Sequence, residues 1–168
     1  DIIAEDLGFL TDDTRAFFRE SGFDGMKVLL FAFDEKNSEY LPHNHIRNSV
    51  VYTGTHDTPT VLQWICQADS TTLTRAMDYL GAPSIYTLSD YFIRAAFSSV
   101  AKRAIIPMQD WLGLDDKSRI NVPSTVGKNW RWRVTKEQLS DKLQTEIRTL
   151  TKRYGRLCWQ WDEKLDGK

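Results

Sequence analysis

The sequence predicts an α/β fold in which parallel strands alternate with helices along the chain. Short apolar runs alternate with segments of helical periodicity, and the run at residues 26–33 is almost continuously apolar. A strand that is apolar throughout is typical of a sheet covered on both faces, whereas a strand with one face in water alternates apolar and polar residues. These observations favour βα units around a parallel sheet.

Four strands are expected, and residues that interrupt an extended chain separate them. The helix N-cap sequence at residues 11–14 follows the first, and a polar loop containing Pro42 separates the second from the third. The fourth is the weakest because Pro107 lies inside it, and proline cannot donate a hydrogen bond to a sheet ladder. The predicted strands are residues 2–7, 26–33, 50–55 and 104–109.

Five helices are expected between and after these strands. Gly22, Gly81 and Gly155 mark the ends of the first, third and last of them. The last helix begins at a capping box in residues 135–138 and carries leucine and isoleucine side chains at helical spacing. The predicted helices lie within residues 11–22, 60–67, 71–80, 88–101 and 135–155.

Four βα units are half of the eight that close a (β/α)8, or TIM, barrel. A complete barrel takes about 250 residues, and this chain has 168. We therefore expect residues 1–155 to form the C-terminal half of a TIM barrel, with about four parallel strands, and residues 156–168 to form a tail. The chain opens on strand-like residues without an initiating Met, so we expect it to be part of a larger protein.

Composition argues against several classes of partner. The chain has 22 basic and 23 acidic residues, which argues against nucleic-acid binding, and no apolar stretch approaches the roughly 18 residues that span a membrane. Cys66 and Cys158 match no metal-binding or redox spacing. We therefore expect no cofactor, no bound metal and two reduced thiols, which are typical of a cytoplasmic protein.

Two acidic clusters follow predicted strands: Glu5 and Asp6 end the first, and His56 and Asp57 follow the third. Glycosidic-bond chemistry uses one carboxyl group as an acid and another to attack or stabilise an oxocarbenium-like centre. Glu5 suits the acid because burial at a strand end favours a protonated carboxyl group. The alternative is that these carboxylates begin helices, at the positive end of the helix dipole. The two clusters together favour sugar chemistry.

Five segments carry a resemblance to a known family. They are Ile-Ala-Glu-Asp-Leu-Gly (3–8), Gly-Phe-Asp-Gly-Met-Lys-Val-Leu (22–29), Tyr-Leu-Pro-His-Asn (40–44), Val-Tyr-Thr-Gly-Thr-His-Asp (51–57) and Asn-Trp-Arg-Trp-Arg (129–133). These segments resemble the 4-α-glucanotransferases, also called amylomaltases or disproportionating enzymes. The similarity covers residues 1 to about 155, in the order of the family. The resemblance implies a TIM-barrel enzyme that transfers a segment of an α-1,4-glucan, such as a maltodextrin or amylose, to a new 4-hydroxyl by a retaining double displacement.

The resemblance also implies a role for each matching residue. Glu5 corresponds to the general acid/base, and Asp57 corresponds to the carboxylate that stabilises the transition state. His56 and Asn121 correspond to residues that bind the sugar. Ser124 stands where the family has glycine in Asn-x-Pro-Gly-Thr, which leaves the shape of that loop open. The family's nucleophile is an aspartate on the strand that precedes the Glu5 strand, so we expect these 168 residues alone to be inactive.

Two other functions remain open. His43, His45 and His56 could hold the metal ion of a metal-dependent hydrolase. A detached half barrel could instead act as a non-catalytic α-glucan-binding or assembly piece that self-associates through exposed strand edges. Trp64 or Trp130 could form an aromatic wall of a sugar cleft, with core packing as the alternative for each.

Overall fold

The computed structural model of the protein describes residues 2–8 and 10–157. Packing divides the chain into two units, Asp1–Trp132 and Arg133–Lys168. Among the described residues, the first unit contains a sheet and five α-helices, and the second contains one α-helix. Most of the predicted tail at 156–168 lies outside the described residues, and the predicted boundary at 155 stays a prediction.

Three parallel strands form the sheet of the first unit. Their order in the sheet is β1-β2-β3, with Met26 opposite Val50 and Val50 opposite Arg103. This parallel sheet, with three α-helices in the connection from β2 to β3, confirms the α/β prediction. Because the strands are parallel, the segments that follow them all leave the sheet at the same end, the carboxyl end of the strands. The strands are β1 (Gly25–Val28), β2 (Ser49–Tyr52) and β3 (Arg103–Ile105).

Side-chain oxygens cap three of the five helices in this unit. Thr11, Thr60 and Asp69 each accept a hydrogen bond from a backbone N–H in the first turn that follows, as their residue types favour. The fourth helix is central to the core, with Leu88 and Phe92 fully buried. The helices are α1 (Asp12–Ser21), α2 (Val61–Gln67), α3 (Ser70–Leu80), α4 (Leu88–Ser98) and α5 (Met108–Trp111), with 3₁₀ helices at Leu29–Phe31, Pro42–Asn44, Ile85–Thr87 and Asp116–Ser118.

The predicted count of four strands is corrected to three for the described residues. The apolar run at residues 2–7 makes one parallel bridge, from Ile3 to Asp24, together with a 3.0 Å hydrogen bond from Ala4 N to Asp24 O. The N–H of Met26, which a paired strand would engage through a backbone carbonyl, donates instead to Asp6 Oδ1 at 2.6 Å. A side chain therefore takes the place of the next ladder bond.

The second and fourth predicted strands are shorter than expected. β1 ends at Val28, and the buried Leu29 and Leu30 belong to a 3₁₀ helix. The apolar run therefore reflects burial in the core beyond the end of the strand. β3 ends at Ile105 because Pro107, which cannot donate to a ladder, is the N-cap of α5.

The second unit contains α6 (Asp141–Arg153), which begins later than the sequence predicts. Only half of the predicted capping box forms, with Thr135 N donating to Gln138 Oε1 at 2.9 Å. Ser140 is the N-cap instead and accepts from Leu143 N. The helix is followed by Gly155 at a φ of 65°, as predicted. No helix among the described residues combines the length and the apolar character needed to cross a bilayer.

Candidate active site

A cavity of about 510 Å³ in the first unit is lined by three parts of the chain: the segment before α1, β1 with the loop that follows it, and the loop that follows β2. Glu5 and Asp57 both line it, so the structure brings together the two carboxyl groups that the sequence places after separate strands. Met26, Phe31 and Tyr40 supply apolar wall. The complete lining is Glu5, Leu7, Gly8, Met26, Phe31, Tyr40, Thr55, His56, Asp57, Thr58 and Pro59.

The segment that carries Glu5 is attached to β1 and to the residue just before β1 by contacts on both sides of Glu5. Ile3 forms the bridge to Asp24 before it, and Asp6 accepts from Met26 N after it. Glu5 itself is exposed, so the expected burial at a strand end is wrong. Residues 4–7 form no strand, and no sheet covers the Glu5 side chain. Its carboxyl group is consequently open to a ligand in the cavity.

Replacing Gly25 with alanine is expected to dislodge the segment that carries Glu5. A Cβ at residue 25 would lie 2.3 Å from Asp6 Oδ2, so Asp6 would have to leave Met26 N. Losing a hydrogen bond to a charged group costs about 1.5–3 kcal/mol, which urea unfolding would measure. Asp6→Ala is the matched background, because it removes the same bond and leaves room for the Cβ. If Gly25→Ala lowered the free energy of unfolding equally in the unaltered chain and in the Asp6→Ala background, this explanation would be contradicted.

Asp57 lies in a loop that is closed by its own hydrogen bonds. Thr58 Oγ1 accepts from Thr55 N at 2.9 Å and donates to Thr55 O at 3.1 Å. Asp57 N donates to Thr55 Oγ1 at 3.2 Å. A Cβ at Gly54 would lie 2.6 Å from Thr58 Oγ1, so glycine permits this close turn. The loop therefore presents His56 and Asp57 at a defined place beyond β2.

His56 and Asn121 both lie at the Asp57 carboxylate. Asn121 Nδ2 donates to Asp57 Oδ1 at 2.6 Å, and His56 Nε2 lies 3.3 Å from the same oxygen. Asn121 N also donates to His56 O at 3.0 Å. Three of the four predicted site residues thus form one connected group, and Glu5 lines the same cavity as two of them. A carboxylate oriented by such donors can bind hydroxyl groups or stabilise positive charge.

Two residues that hold this group were missed by the sequence reasoning. Asp110 on α5 is buried and accepts from Thr53 Oγ1 at 2.5 Å and from Val61 N at 2.9 Å, so it joins the two ends of the loop. Burial raises the pKa of Asp110. The sequence signal for Asp110 is a carboxylate within a largely apolar segment, since a buried carboxylate requires hydrogen-bond partners. Arg119 donates to backbone carbonyls on both sides of the Asp57–Asn121 contact.

The three histidines that were considered as metal ligands have separate partners. His43 Nδ1 lies 2.8 Å from Tyr79 Oη, and His45 is buried between Tyr40 O and Ser99 Oγ. His56 lies at Asp57. Among residues 2–8 and 10–157, no group of three or more His, Cys, Asp or Glu side chains is arranged to hold a metal ion. The metal-dependent hydrolase therefore has no support in the described site.

His45 is expected to make stability depend on pH. Burial lowers the pKa of His45 below its ordinary value of 6.5. Its Nε2 must donate, because Tyr40 O can only accept, and the neutral ring then accepts from Ser99 at Nδ1. As pH falls below the ordinary value, the unfolded chain takes up the proton first, so the free energy of unfolding falls.

Urea unfolding between about pH 7.5 and pH 5 would measure this loss of stability. The His43→Gln variant is the matched control and should retain the loss, because His43 is exposed. The His45→Gln variant should lose part of the pH dependence. A pH dependence that His45→Gln leaves unchanged would exclude His45 as its source.

The two tryptophans considered for the cavity wall lie in different surroundings. Trp64 packs against Phe33 and Phe92, with ring centroids 6.2 and 5.2 Å away, which is core packing. Trp130 is 58% exposed, and its ring lies 5.2 Å from that of His56. Ser124 has a φ of 61°, a conformation that glycine adopts without strain. This explains why glycine suits that position in the related motif.

The fold and the site together define a class of protein. Two carboxyl groups that line one cavity beside a parallel α/β sheet suit an enzyme that acts on glycosidic bonds, because that chemistry uses a pair of carboxyl groups. A family model described as 4-alpha-glucanotransferase matches residues 1–140. The chain belongs to the 4-alpha-glucanotransferase family, which confirms the resemblance.

Relatives match nearly the whole chain, but the chain spans less than a third of each. The chloroplastic/amyloplastic 4-alpha-glucanotransferase DPE1 of Arabidopsis thaliana is 46% identical over 93% of this chain and 28% of its own length. The 4-alpha-glucanotransferase of Clostridium butyricum is 42% identical over 93% of this chain and 32% of its own length.

Solved structures also match most of this chain, and the chain again spans less than a third of each. The amylomaltase from Streptococcus agalactiae, in complex with acarbose, superposes with a TM-score of 0.88 at 32% identity, over 92% of this chain and 32% of that chain. The amylomaltase from Corynebacterium glutamicum shares the fold, with a TM-score of 0.59 at 13% identity over 77% of this chain and 24% of that chain.

Proposed function

We propose that this chain supplies the general acid/base and the transition-state stabiliser of a 4-α-glucanotransferase. The reaction transfers a segment of an α-1,4-glucan to the 4-hydroxyl of glucose or of another glucan. The observation that carries the proposal is the shared cavity: Glu5 and Asp57 line it together, and Asn121 donates to the Asp57 carboxylate. A retaining transfer needs one group that exchanges a proton and another that stabilises positive charge.

The site residues divide the chemistry between them. Glu5 protonates the glycosidic oxygen as the bond breaks, and it later takes the proton from the attacking 4-hydroxyl, which closes the proton balance. Asp57, fixed by Asn121, binds hydroxyls of the reacting glucose and stabilises charge at its anomeric carbon. The apolar wall of Met26, Phe31 and Tyr40 favours a sugar acceptor over water.

A covalent intermediate requires a third carboxylate, about 5–5.5 Å from the acid, as nucleophile. Among the described residues that line the cavity, Glu5 and Asp57 are the carboxylates, and Asp6 is directed at Met26 N. We infer that the nucleophile comes from outside these 168 residues.

The 168 residues alone are therefore expected to show no disproportionation of maltotriose. A hybrid in which they replace the matched segment of the Streptococcus agalactiae amylomaltase should produce glucose and longer maltodextrins, since that segment superposes with a TM-score of 0.88. The unmodified amylomaltase is the control. Turnover by the chain alone at the rate of the hybrid would contradict the inference about the nucleophile. A folded but inactive hybrid would contradict the proposed function.

We also propose that the sheet is the C-terminal half of a TIM barrel. In its support, the chain matches 32% of an amylomaltase chain, and parallel sheets occur almost only with both faces covered. Ile3 and Ile105, which lie toward opposite edges of the sheet, are 40% and 41% exposed.

The alternative function is a non-catalytic glucan-binding or assembly piece, and the same exposed sheet edges favour it. We propose that these edges cause the isolated chain to self-associate. A monomer at every concentration in size-exclusion chromatography with light scattering would contradict self-association.

We propose a cytoplasmic location and no nucleic-acid or membrane partner. The exposed free thiol of Cys66 suits a reducing compartment, and the charges balance at 22 basic and 23 acidic residues. The Arabidopsis thaliana relative is named chloroplastic/amyloplastic, so fractionation of the source cells is the direct test.

A further inference from the structure

Arg119 joins the two chain segments that carry the sugar-site side chains. Its Nη2 donates to the backbone oxygen of Asp57 at 2.7 Å, and its Nε donates to the backbone oxygen of Asn121 at 2.9 Å. Asp57 and Asn121 are 64 positions apart in sequence and meet through the 2.6 Å contact between their side chains. One guanidinium group therefore holds the main chain of both partners in that contact.

The chemistry of the guanidinium suits this role. Its donors have a fixed planar geometry, so two bonds from one group fix both distance and orientation. The Arg119 side chain is only 18% exposed. Its bond to Asn121 O is partly buried, and its bond to Asp57 O is exposed. Asp116 Oδ1 lies 3.8 Å from Nη1 as a partial counter-charge, and this buried oxygen has no hydrogen-bond partner. The carbonyls of Asp57 and Asn121 are thus the hydrogen-bond acceptors that Arg119 has in the site.

A backbone hydrogen bond also couples the same two segments. Asn121 N donates to His56 O at 3.0 Å, so the carbonyl groups of both His56 and Asp57 are bonded to residues 119–121. Without Arg119 this bond and the exposed Asn121–Asp57 contact would remain, and water competes for both. Arg119 differs from these two ties because it makes two hydrogen bonds from one rigid plane.

We propose that Arg119 is a positioning residue that holds the Asp57 carboxylate and the Asn121 amide in one arrangement. It acts through the main chain of these residues and has no role in proton transfer. Its consequence for glucan transfer rests on the proposed function, whereas the arrangement itself is tested in the chain alone, so the two can fail separately.

NMR of the side-chain amide of Asn121 tests the proposal. In the unaltered chain, the amide proton that donates to Asp57 should be shifted downfield, and Asp57→Ala defines its position when the contact is broken. Arg119→Met keeps the length of the side chain and removes its donors. It should move the Asn121 signal to the Asp57→Ala position. Lys117→Met is the matched control, because the Lys117 side chain is 91% exposed, and it should leave the signal unchanged.

The outcomes separate positioning from general stability. A folded Arg119→Met chain with an unchanged Asn121 signal would overturn the proposal. If Arg119→Met does not fold, Arg119→Lys is used in its place. The lysine can reach one carbonyl group but cannot bond both in a fixed plane. A shifted Asn121 signal in folded Arg119→Lys supports positioning, and an unchanged one overturns it. If neither variant folds, Arg119 serves the fold and the proposal is also overturned.

Discussion

Replacing Glu5 with glutamine is expected to lower glucan transfer by about 10²–10⁴-fold, the range for loss of a general acid/base. Glutamine keeps the shape of the side chain but cannot give or take the proton in either half of the reaction. Maltotriose disproportionation by the hybrid amylomaltase measures the effect. Because Glu5 is exposed, the substitution should leave thermal unfolding unchanged, so the loss would be chemical.

The control for this variant is Glu20→Gln. Glu20 is also exposed, and it lies on α1, away from the residues that line the cavity. It should retain the full transfer rate. A Glu5→Gln hybrid that works as fast as the Glu20→Gln hybrid would remove Glu5 from the mechanism.

Replacing Asp57 with asparagine is expected to lower transfer by about 10²–10³-fold, as when one preorganised group that stabilises the transition state is lost. The asparagine oxygen can still accept from Asn121 Nδ2, which now lies 2.6 Å from Oδ1, so the loop should keep its shape. What disappears is the negative charge that, in the proposed mechanism, stabilises the anomeric carbon. The effect should fall mainly on kcat, because the charge is used most in the transition state.

Asp34→Asn is the control for Asp57→Asn, since Asp34 is exposed in a loop outside the cavity lining. Steady-state kinetics with maltotriose separate kcat from KM. A variant that raises KM alone would show that Asp57 binds the sugar without stabilising the transition state.

The parallel sheet and the two acidic segments of the candidate site could be predicted from local sequence. The apolar segments that become β1 and β2 are recognisable without their partners, and the acidic clusters mark the segments that line the cavity. The limits of the strands could not be predicted, because burial continues past the last ladder bond. Leu29 and Leu30 are as apolar as Val28, but they lie in a 3₁₀ helix.

The supporting contacts were hidden because they join distant parts of the chain. Asp110 bonds to residues 49 and 57 positions away, and Asp24 pairs with Arg103 across 79 positions. Nothing near Asp6 in the sequence indicates that its carboxylate would take the N–H of Met26. Periodicity reports which face is buried, and it carries no information on such pairs.

The most direct test of the division of roles uses α-maltosyl fluoride as donor in the hybrid amylomaltase. Fluoride leaves without a proton, so the first step needs Asp57 but not the acid function of Glu5. In a single turnover, Glu5→Gln should release fluoride nearly as fast as the unmodified hybrid, whereas Asp57→Asn should lose fluoride release as strongly as it loses maltotriose turnover. Equal losses in both variants, or rapid fluoride release by Asp57→Asn, would contradict the assignment of Glu5 as acid/base and Asp57 as transition-state stabiliser.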